Sequence, residues 1–478
     1  MTEKPVHITG YKEDIMSKDS YDLIVVGAGS GGCATAKVAA EQGLKVLLID
    51  KRKKEEIGDK LTFDTILPNA FTTLGIPFPE GKEFDMKMTK LRVFSPNRRY
   101  FFDAFIDATL THRHLLGQRL LKCALDAGTE LMPDVDVTGP VIKDGFVVGV
   151  QYKASDGNTA EVRAKVVCDS SGIRAVVRDK LPKEIYNGEK LVREDTVVTY
   201  REVRDLLGTC FHSPDHDFPG WYCTLQNHGY FWVVPENKTQ ANIGCGIPMF
   251  ADNPTPEKLT EDYLNETEHI ALYGKTAYAK GTGPTPRIPM RADQPILVAN
   301  GLVLVGEAGW QVATNSGFGV QGSIVAGKLA AETIADAIRN GDVSKKGLWK
   351  YNVAWKREQG AIRAFADGIR FLVQSFTHDE LNILIRTKVL GGQEFGNLWS
   401  DRTFRYSFKD MVVKFFCGIG HIPLLLKLFS AYRLCVKLEE IYRAFPDTVE
   451  GFEAWNDKRK ATYKELFQVA NIKRELSA

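Results

Sequence analysis

Residues 21–50 read YDLIVVGAGSGGCATAKVAAEQGLKVLLID, and this stretch decides the fold. Tyr21–Val26 is a short apolar run rich in Val and Ile, the pattern of a strand buried in a parallel sheet. Gly27–Gly32 follows. Cys33–Gln42 then repeats small apolar residues at helical spacing, and Lys45–Ile49 returns to the buried-strand pattern. The spacing predicts strand, glycine turn, helix, strand. Within the turn, Gly27, Gly29 and Gly32 form G-x-G-x-x-G. Gly27 permits the tight turn off the strand, Gly29 lets the backbone approach a pyrophosphate, and Gly32 lets the helix pack close to the strand. The helix start offers free N–H groups and a positive dipole end to an anion. Asp50, 23 positions after Gly27, ends the second strand, where an acid receives ribose hydroxyls. The motif is weak alone and strong in this order.

Two later stretches extend the pattern. Val167–Arg178 (VCDSSGIRAVVR) is a strand end followed by a polar turn with Arg174 and Arg178. Leu302–Gly322 (LVLVGEAGWQVATNSGFGVQG) is a buried strand, then Gly306-Glu307-Ala308-Gly309, then Gly317, Gly319 and Gly322 opening a helix near Ser323. A second helix N-terminus set up for an anion suits a flavin, which needs one site for its pyrophosphate and another beside its ring. Between these lies β-rich sequence. Leu91–Phe105 reads as a hairpin turning at Ser95-Pro96-Asn97, and Asp134–Tyr152 and Ala160–Val167 as strands around the turn 155–158. Leu115–Gly128 reads as an amphipathic helix, and Val197–Ile247 as antiparallel sheet. Lys346–Ala478 is mainly helical, with breaks at Gly391-Gly392, Gly418–Pro423 and Phe445-Pro446.

The expected class is α/β. A discontinuous Rossmann-like FAD-binding domain takes 21–85, 110–195 and 290–345. An inserted antiparallel sheet for substrate takes 86–109 and 196–289, a helical C-terminal domain takes 346–478, and 1–20 forms an arm.

Composition bounds the function. The 478 residues carry 62 Lys and Arg against 60 Asp and Glu, a net charge of +2 that argues against nucleic-acid binding. The 44% hydrophobic content excludes wholesale disorder. Eight scattered cysteines without a C-x-x-C pair suggest a reduced, cytoplasmic chain with no metal site. No run approaches the ~20 apolar residues of a membrane span. The balanced total hides one asymmetry. Phe404–Leu438 holds Arg405, Lys409, Lys414, Lys427, Arg433 and Lys437 against Asp410 among the acids, interleaved with Phe and Leu. Such a segment suits peripheral contact with the inner face of a membrane.

A further motif is Tyr230-Phe231-Trp232-Val233-Val234-Pro235, then Gly244-Cys245-Gly246. Together with the glycine clusters, in this order, it resembles the geranylgeranyl reductase family of flavoproteins, and most closely its archaeal, lipid-acting branch. That family is similar in fold to the p-hydroxybenzoate-hydroxylase-type flavoenzymes. The resemblance runs from Tyr21 to about Phe467. It implies FAD, with Gly27, Gly29 and Gly32 at the pyrophosphate, Asp50 at the ribose, Arg119 on the cofactor and Val135 at the adenine side. Gly306 and Glu307 match a Gly-Asp pair, and Gly317, Phe318 and Gly319 would lie beside the ring. Trp221, Tyr222, Tyr230, Phe231, Trp232, Pro235, Gly244 and Gly246 would build an apolar substrate cavity.

The implied reaction is hydrogenation of isolated C=C bonds in the isoprenoid chains of membrane lipids, with an external electron donor such as ferredoxin or NAD(P)H. Two departures fall near the expected reaction centre. Thr62 stands where the family carries a cysteine, and Ala313–Ser316 lacks the family's proline. Thr62 and Asp64 are the candidate proton donors by position. Two other readings stay open. One is a related flavoenzyme, either a reductase of a quinone side chain or a flavin monooxygenase; the other is a non-catalytic flavin- and lipid-binding protein.

Overall fold

The computed structural model describes residues 20–59, 63–205, 221–235, 240–250, 252–266 and 287–473. The Tyr21–Asp50 unit folds as its pattern predicts. Strand β1 (Tyr21–Val26) leads through the glycine turn into helix α1 (Ser30–Glu41) and on to β2 (Val46–Ile49), which pairs parallel with β1. Leu23, Ile24 and Val25 are fully buried because the sheet is covered on both faces.

The chain then crosses to a second sheet. Strand β3 (Phe63–Ile66) and helix α2 (Asn69–Leu74) precede a long hairpin of β4 (Phe84–Phe94) and β5 (Phe101–His112). β3 pairs with β5, so residues expected in the first domain contribute a strand to the other sheet. Helix α3 (Arg113–Asp126) returns to the first sheet, followed by β6 (Glu130–Met132), β7 (Val135–Lys143), β8 (Phe146–Ala154) and β9 (Thr159–Asp169). The run 134–152 read as one strand is a hairpin. Asp144 and Gly145 take left-handed φ of 51° and 77°, and only a glycine or a short polar side chain tolerates that readily.

The second sheet continues with β10 (Thr196–Asp205), β11 (Trp221–Gln226), β12 (Gly229–Pro235) and β13 (Gln240–Pro248). Helix α4 (Pro256–Glu266) and β14 (Arg287–Pro289) follow. Its order is β14-β10-β13-β12-β11-β4-β5-β3. It is antiparallel except that β11 runs parallel to β4, because the chain visits the first sheet between them. The chain closes the first sheet with β15 (Val298–Ala299) and β16 (Leu302–Leu304), giving the order β15-β16-β9-β1-β2-β6, and enters helix α5 (Val320–Arg339). α5 begins three residues before the expected Ser323, with Gly319 as its cap.

The remainder is helical: α6 (Trp349–Trp355), a π-turn at Lys356–Gly360, α7 (Ala361–Gln374), α8 (His378–Arg386), α9 (Gly392–Trp399), α10 (Phe408–Cys417), α11 (Ile422–Arg443) and α12 (Phe452–Val469). A buried ionic network fastens these helices to the sheets. Arg291 reaches Asp195 at 3.1 Å and Glu189 at 3.5 Å, Arg370 joins Asp195 to Asp367, and Arg459 of α12 pairs with Glu189.

Among the described residues, Ile419–Arg443 alone is long and apolar enough to cross a membrane, where the sequence reading expected no such run. Its buried face packs on α7 and α12 through Leu425, Leu428, Ala431 and Leu438. Its buried Glu439 pairs with Arg405 and Arg443. This segment packs on the protein body along one face. The seven described cysteines are free thiols; Cys210 lies outside the described residues.

Candidate active site

A cavity of about 750 Å³ opens between the two sheets, at the carboxyl ends of the parallel strands, where ligands bind in open α/β sheets. Gly27 makes the turn off β1 with φ +97°, and a Cβ there would lie 2.5 Å from Ser170 O. At Gly32 a Cβ would lie 1.8 Å from Gly27 O, so this glycine serves the packing of α1 on β1 and does not line the cavity. Gly29 is different. A Cβ there would meet nothing within 4 Å, and the residue faces the cavity. Asp50 accepts from Ala28 N at 2.7 Å and from Arg52 N at 2.8 Å, so its carboxylate braces the turn at the cavity rim.

The turn after β9 is held by Asp169, which is fully buried. Its Oδ1 accepts from Ser171 N and Oγ, and its Oδ2 from Val177 N and Arg178 N. Glu307, Gly317, Phe318 and Gly319 line the opposite side. Helices α1 and α5 start at this cavity, and neither Gly29 nor Gly319 supplies a side-chain cap. Two open helix N-termini facing one cavity form a ready anion site.

The other wall is β12. Its residues alternate, so Tyr230, Trp232 and Val234 face the cavity. Phe231, expected among them, points the other way and stacks on Tyr263 at 3.5 Å. Cross-strand register explains the Y-x-W and G-x-G pairing. Trp232 sits opposite Gly244 and Tyr230 opposite Gly246. A Cβ at Gly244 would come within 2.2 Å of Tyr200 O on β10 and 2.7 Å of the Trp232 ring, so glycine there serves both the strand pairing and the seat of the indole. Trp232 Nε1 donates to Asn242 Oδ1 at 3.0 Å. Tyr230 donates its hydroxyl proton to Ser316 O at 2.6 Å, and burial pushes its pKa well up. The side chains of Trp221, Tyr222 and Pro235 lie outside the described residues, as does Thr62.

Arg119 does not reach the cavity. It donates to Pro77 O and pairs with Glu83 at 2.8 Å. Arg113, Gly117 and Leu120 form the cavity-facing stripe of α3, and two residues on from Gly117 the helix has turned about 200°. Arg113 is the residue that sequence reading missed. Its Nε lies 3.0 Å from Asp64 Oδ2, and Arg201 approaches the same carboxylate at 3.7 Å. The available signal was the Arg113-x-x-x-Gly117 spacing. Gly117 meets the loop at Gly58, where a Cβ would come within 2.5 Å of the Gly58 Cα. Among the described residues no three His, Cys, Asp or Glu side chains gather as metal ligands would.

These residues fit FAD. Open helix amides at Gly29–Gly31 suit a pyrophosphate, and Asp50, Val135 and Gly317–Gly319 line the same cavity, which is large enough to hold the rest of the cofactor. The sequence profile of FAD-dependent oxidoreductases matches residues 22–178. The protein is a flavin-dependent oxidoreductase.

The likeness of this flavoprotein to known proteins runs further. It is 28% identical to digeranylgeranylglycerophospholipid reductase of Sulfolobus acidocaldarius over 92% of the chain and 96% of that relative. Identity is 29% to digeranylgeranylglycerophospholipid reductase 2 of Methanopyrus kandleri, over 76% of the chain and 89% of the relative. In fold it is similar to a geranylgeranyl bacteriochlorophyll reductase-like protein of Thermoplasma acidophilum, with a TM-score of 0.69 at 19% identity, covering 86% of this chain and 99% of that one. A flavin-dependent brominase reaches a TM-score of 0.62 at 17% identity, covering 81% and 94%. The flavin fold is therefore shared by enzymes of different chemistry, and the substrate must be argued from the cavity.

Proposed function

We propose that this flavoenzyme hydrogenates isolated C=C bonds in the isoprenoid (geranylgeranyl) chains of membrane lipids, drawing electrons from an external donor such as ferredoxin or NAD(P)H. The observation that carries the reading is the Tyr230, Trp232 and Val234 face of β12, which lines the same cavity as Gly317–Gly319 and meets their turn where the Tyr230 hydroxyl bonds Ser316 O. The names of the relatives support it. FAD, when bound and reduced, supplies hydride equivalents to a carbon centre. An unactivated alkene has no carbonyl to polarise, so the protein's task is positioning and exclusion of water. The indole of Trp232 is tied to Asn242, and the Tyr230 phenol to the Ser316 carbonyl. Both rings are thereby fixed as walls with their polar atoms occupied.

Asp64 is held between Arg113 and Arg201. In this reading it keeps the two arginines in place at the cavity, and the proton for the second carbon comes from another donor. We place the enzyme on the cytoplasmic side, with peripheral membrane contact.

Anaerobic incubation of the reduced holoenzyme with a digeranylgeranyl lipid, followed by mass spectrometry, tests the reading. Uptake of one H2 per double bond is expected. An oxygen-dependent hydroxylated product would place the protein with the monooxygenases. Bound lipid with no turnover under any reductant would make it a binding protein.

A further inference from the structure

Eight of the fourteen large apolar side chains left exposed among the described residues fall within the nineteen residues Phe408–Leu426. Helix α10 has no buried residue along its length. Phe408 is 79% exposed, Phe416 65% and Leu426 62%, and Val413, Ile419 and Ile422 stand exposed between them. This corner of the molecule covers the whole of α10 and the first turns of α11.

The outer stripe of α11 changes character along its length. It runs Ile422, Leu426 and then Ser430, Arg433, Lys437, all exposed, and Ile419 stands exposed in the turn just before it. Leu426 and Arg433 are two turns apart, about 10 Å along the helix axis. An apolar end followed by a basic belt at that distance matches the depth to which an interfacial helix sinks, about 5–10 Å into the boundary of headgroups and acyl chains.

Charge agrees with this. From 402 to 427 the chain carries Arg402, Arg405, Lys409, Lys414 and Lys427 against Asp410 alone. Arg405 and Lys414 are engaged by Glu439 and Glu394, while Arg402 and Lys409 are exposed beside the apolar corner. The corner also connects inward to the cavity. Lys414 of α10 pairs with Glu394 of α9 at 2.7 Å. On α9, Phe395 stacks on Trp399, and Trp399 meets the cavity residue Phe318 edge-on at 5.1 Å.

We propose that the α10–α11 corner docks on the surface of an anionic lipid bilayer. Its apolar side chains enter the acyl boundary, and Lys409 and Arg433 lie at the headgroups. The proposal deepens the lipid-substrate reading by giving the face from which the substrate arrives.

Flotation of the full-length holoenzyme with vesicles of phosphatidylglycerol or of phosphatidylcholine tests it. The enzyme is expected to float with phosphatidylglycerol, and less so at high salt. The double variant Phe416→Asp/Leu426→Asp should partition at least about tenfold less. Lys409→Glu/Arg433→Glu should lose the preference for the anionic vesicles. All four side chains are exposed, so flavin absorbance and melting temperature should match the parent.

An enzyme that floats with neither vesicle overturns the proposal, as do variants that float like the parent. A parent dimer that Phe416→Asp/Leu426→Asp splits into monomers also overturns it, because a second copy then covers the corner. Reduction of detergent-dispersed lipid is a separate readout. Its absence alongside intact flotation would sink the reductase reading and leave the docking surface standing.

Discussion

Arg113 Nε stands 3.0 Å from Asp64 Oδ2, and this ion pair joins helix α3 beside the first sheet to strand β3 of the second, at the wall of the cavity. Arg201 reaches the same carboxylate from β10. One acid thus sits between two guanidiniums from separate elements. Burial pushes the Arg113 pKa down, and the Asp64 charge opposes that fall. Asp64→Asn leaves Arg113 and Arg201 repelling each other, with the weaker influence of Glu307 left to offset the Arg113 charge. It is expected to cost about 1–3 kcal/mol, below the cost of breaking a fully buried pair because Asp64 is partly exposed. Urea denaturation of the apoprotein measures this. Asp64→Asn combined with Arg113→Met should cost less than the sum of the single changes; strict additivity would show that the pair does not couple.

The glycines of the first turn separate packing from binding. At Gly32 an added Cβ would meet the Gly27 carbonyl at 1.8 Å, backbone against backbone. Gly32→Ala is therefore expected to lose more than about 4 kcal/mol or to fail to fold. At Gly29 the same atom meets open space. Gly29→Val should keep the melting temperature of the apoprotein and weaken FAD binding at least about tenfold, because the branched side chain occupies the approach of the pyrophosphate. Fluorescence titration with FAD reads the second effect. Equal affinity in Gly29→Val would move the pyrophosphate elsewhere.

The Tyr21–Asp50 unit was legible in the sequence because its signals are local: buried-strand composition, glycine spacing and a terminal acid all fall within one βαβ unit. The Tyr230-x-Trp232 and Gly244-x-Gly246 elements were legible as a pattern, but their reason is cross-strand register, which pairs each ring with a glycine. What sequence could not supply is facing. Arg119 and Arg113 lie on one helix six residues apart, and only the packing of Gly117 on Gly58 decides that Arg113 turns to the cavity. Phe231 failed for the complementary reason, since alternation on β12 fixes that it faces away from Tyr230 without saying which face is the cavity. The parallel β11–β4 pair joins segments more than 120 residues apart, beyond any local signal.

The network around Glu189 makes a prediction about acid. Burial raises the Glu189 pKa, but Arg459 and Arg291 more than offset this and hold it below the ordinary 4.5. A carboxyl whose folded pKa is depressed stabilises the fold above its unfolded pKa, and that stability is lost as pH falls through the folded value. Stability should therefore drop below about pH 4.5. Arg459→Met removes one partner from a fully buried site and is expected to cost about 3–5 kcal/mol at pH 7. Much of the acid dependence assigned to Glu189 should disappear with it, which chemical denaturation at pH 7 and pH 4 would resolve.

Asp85, at the start of β4, makes the opposite prediction. Burial pushes its pKa from 3.8 to about 6, and its Oδ2 is buried with no hydrogen-bond partner. Its folded pKa is raised, so the folded state carries no penalty while the carboxyl is protonated and acquires one as pH rises through about 6. Because the group is half-exposed, solvent screening limits the penalty to about 1 kcal/mol. Asp85→Asn should therefore raise stability at pH 7 by about that amount and leave it nearly unchanged at pH 4. Asp85 and Glu189 act with opposite sign, so the two variants should tilt the pH–stability curve in opposite directions. If Asp85→Asn lowered stability at pH 7, the charged carboxylate would have a stabilising partner in solution, and the penalty argued from its burial would be wrong.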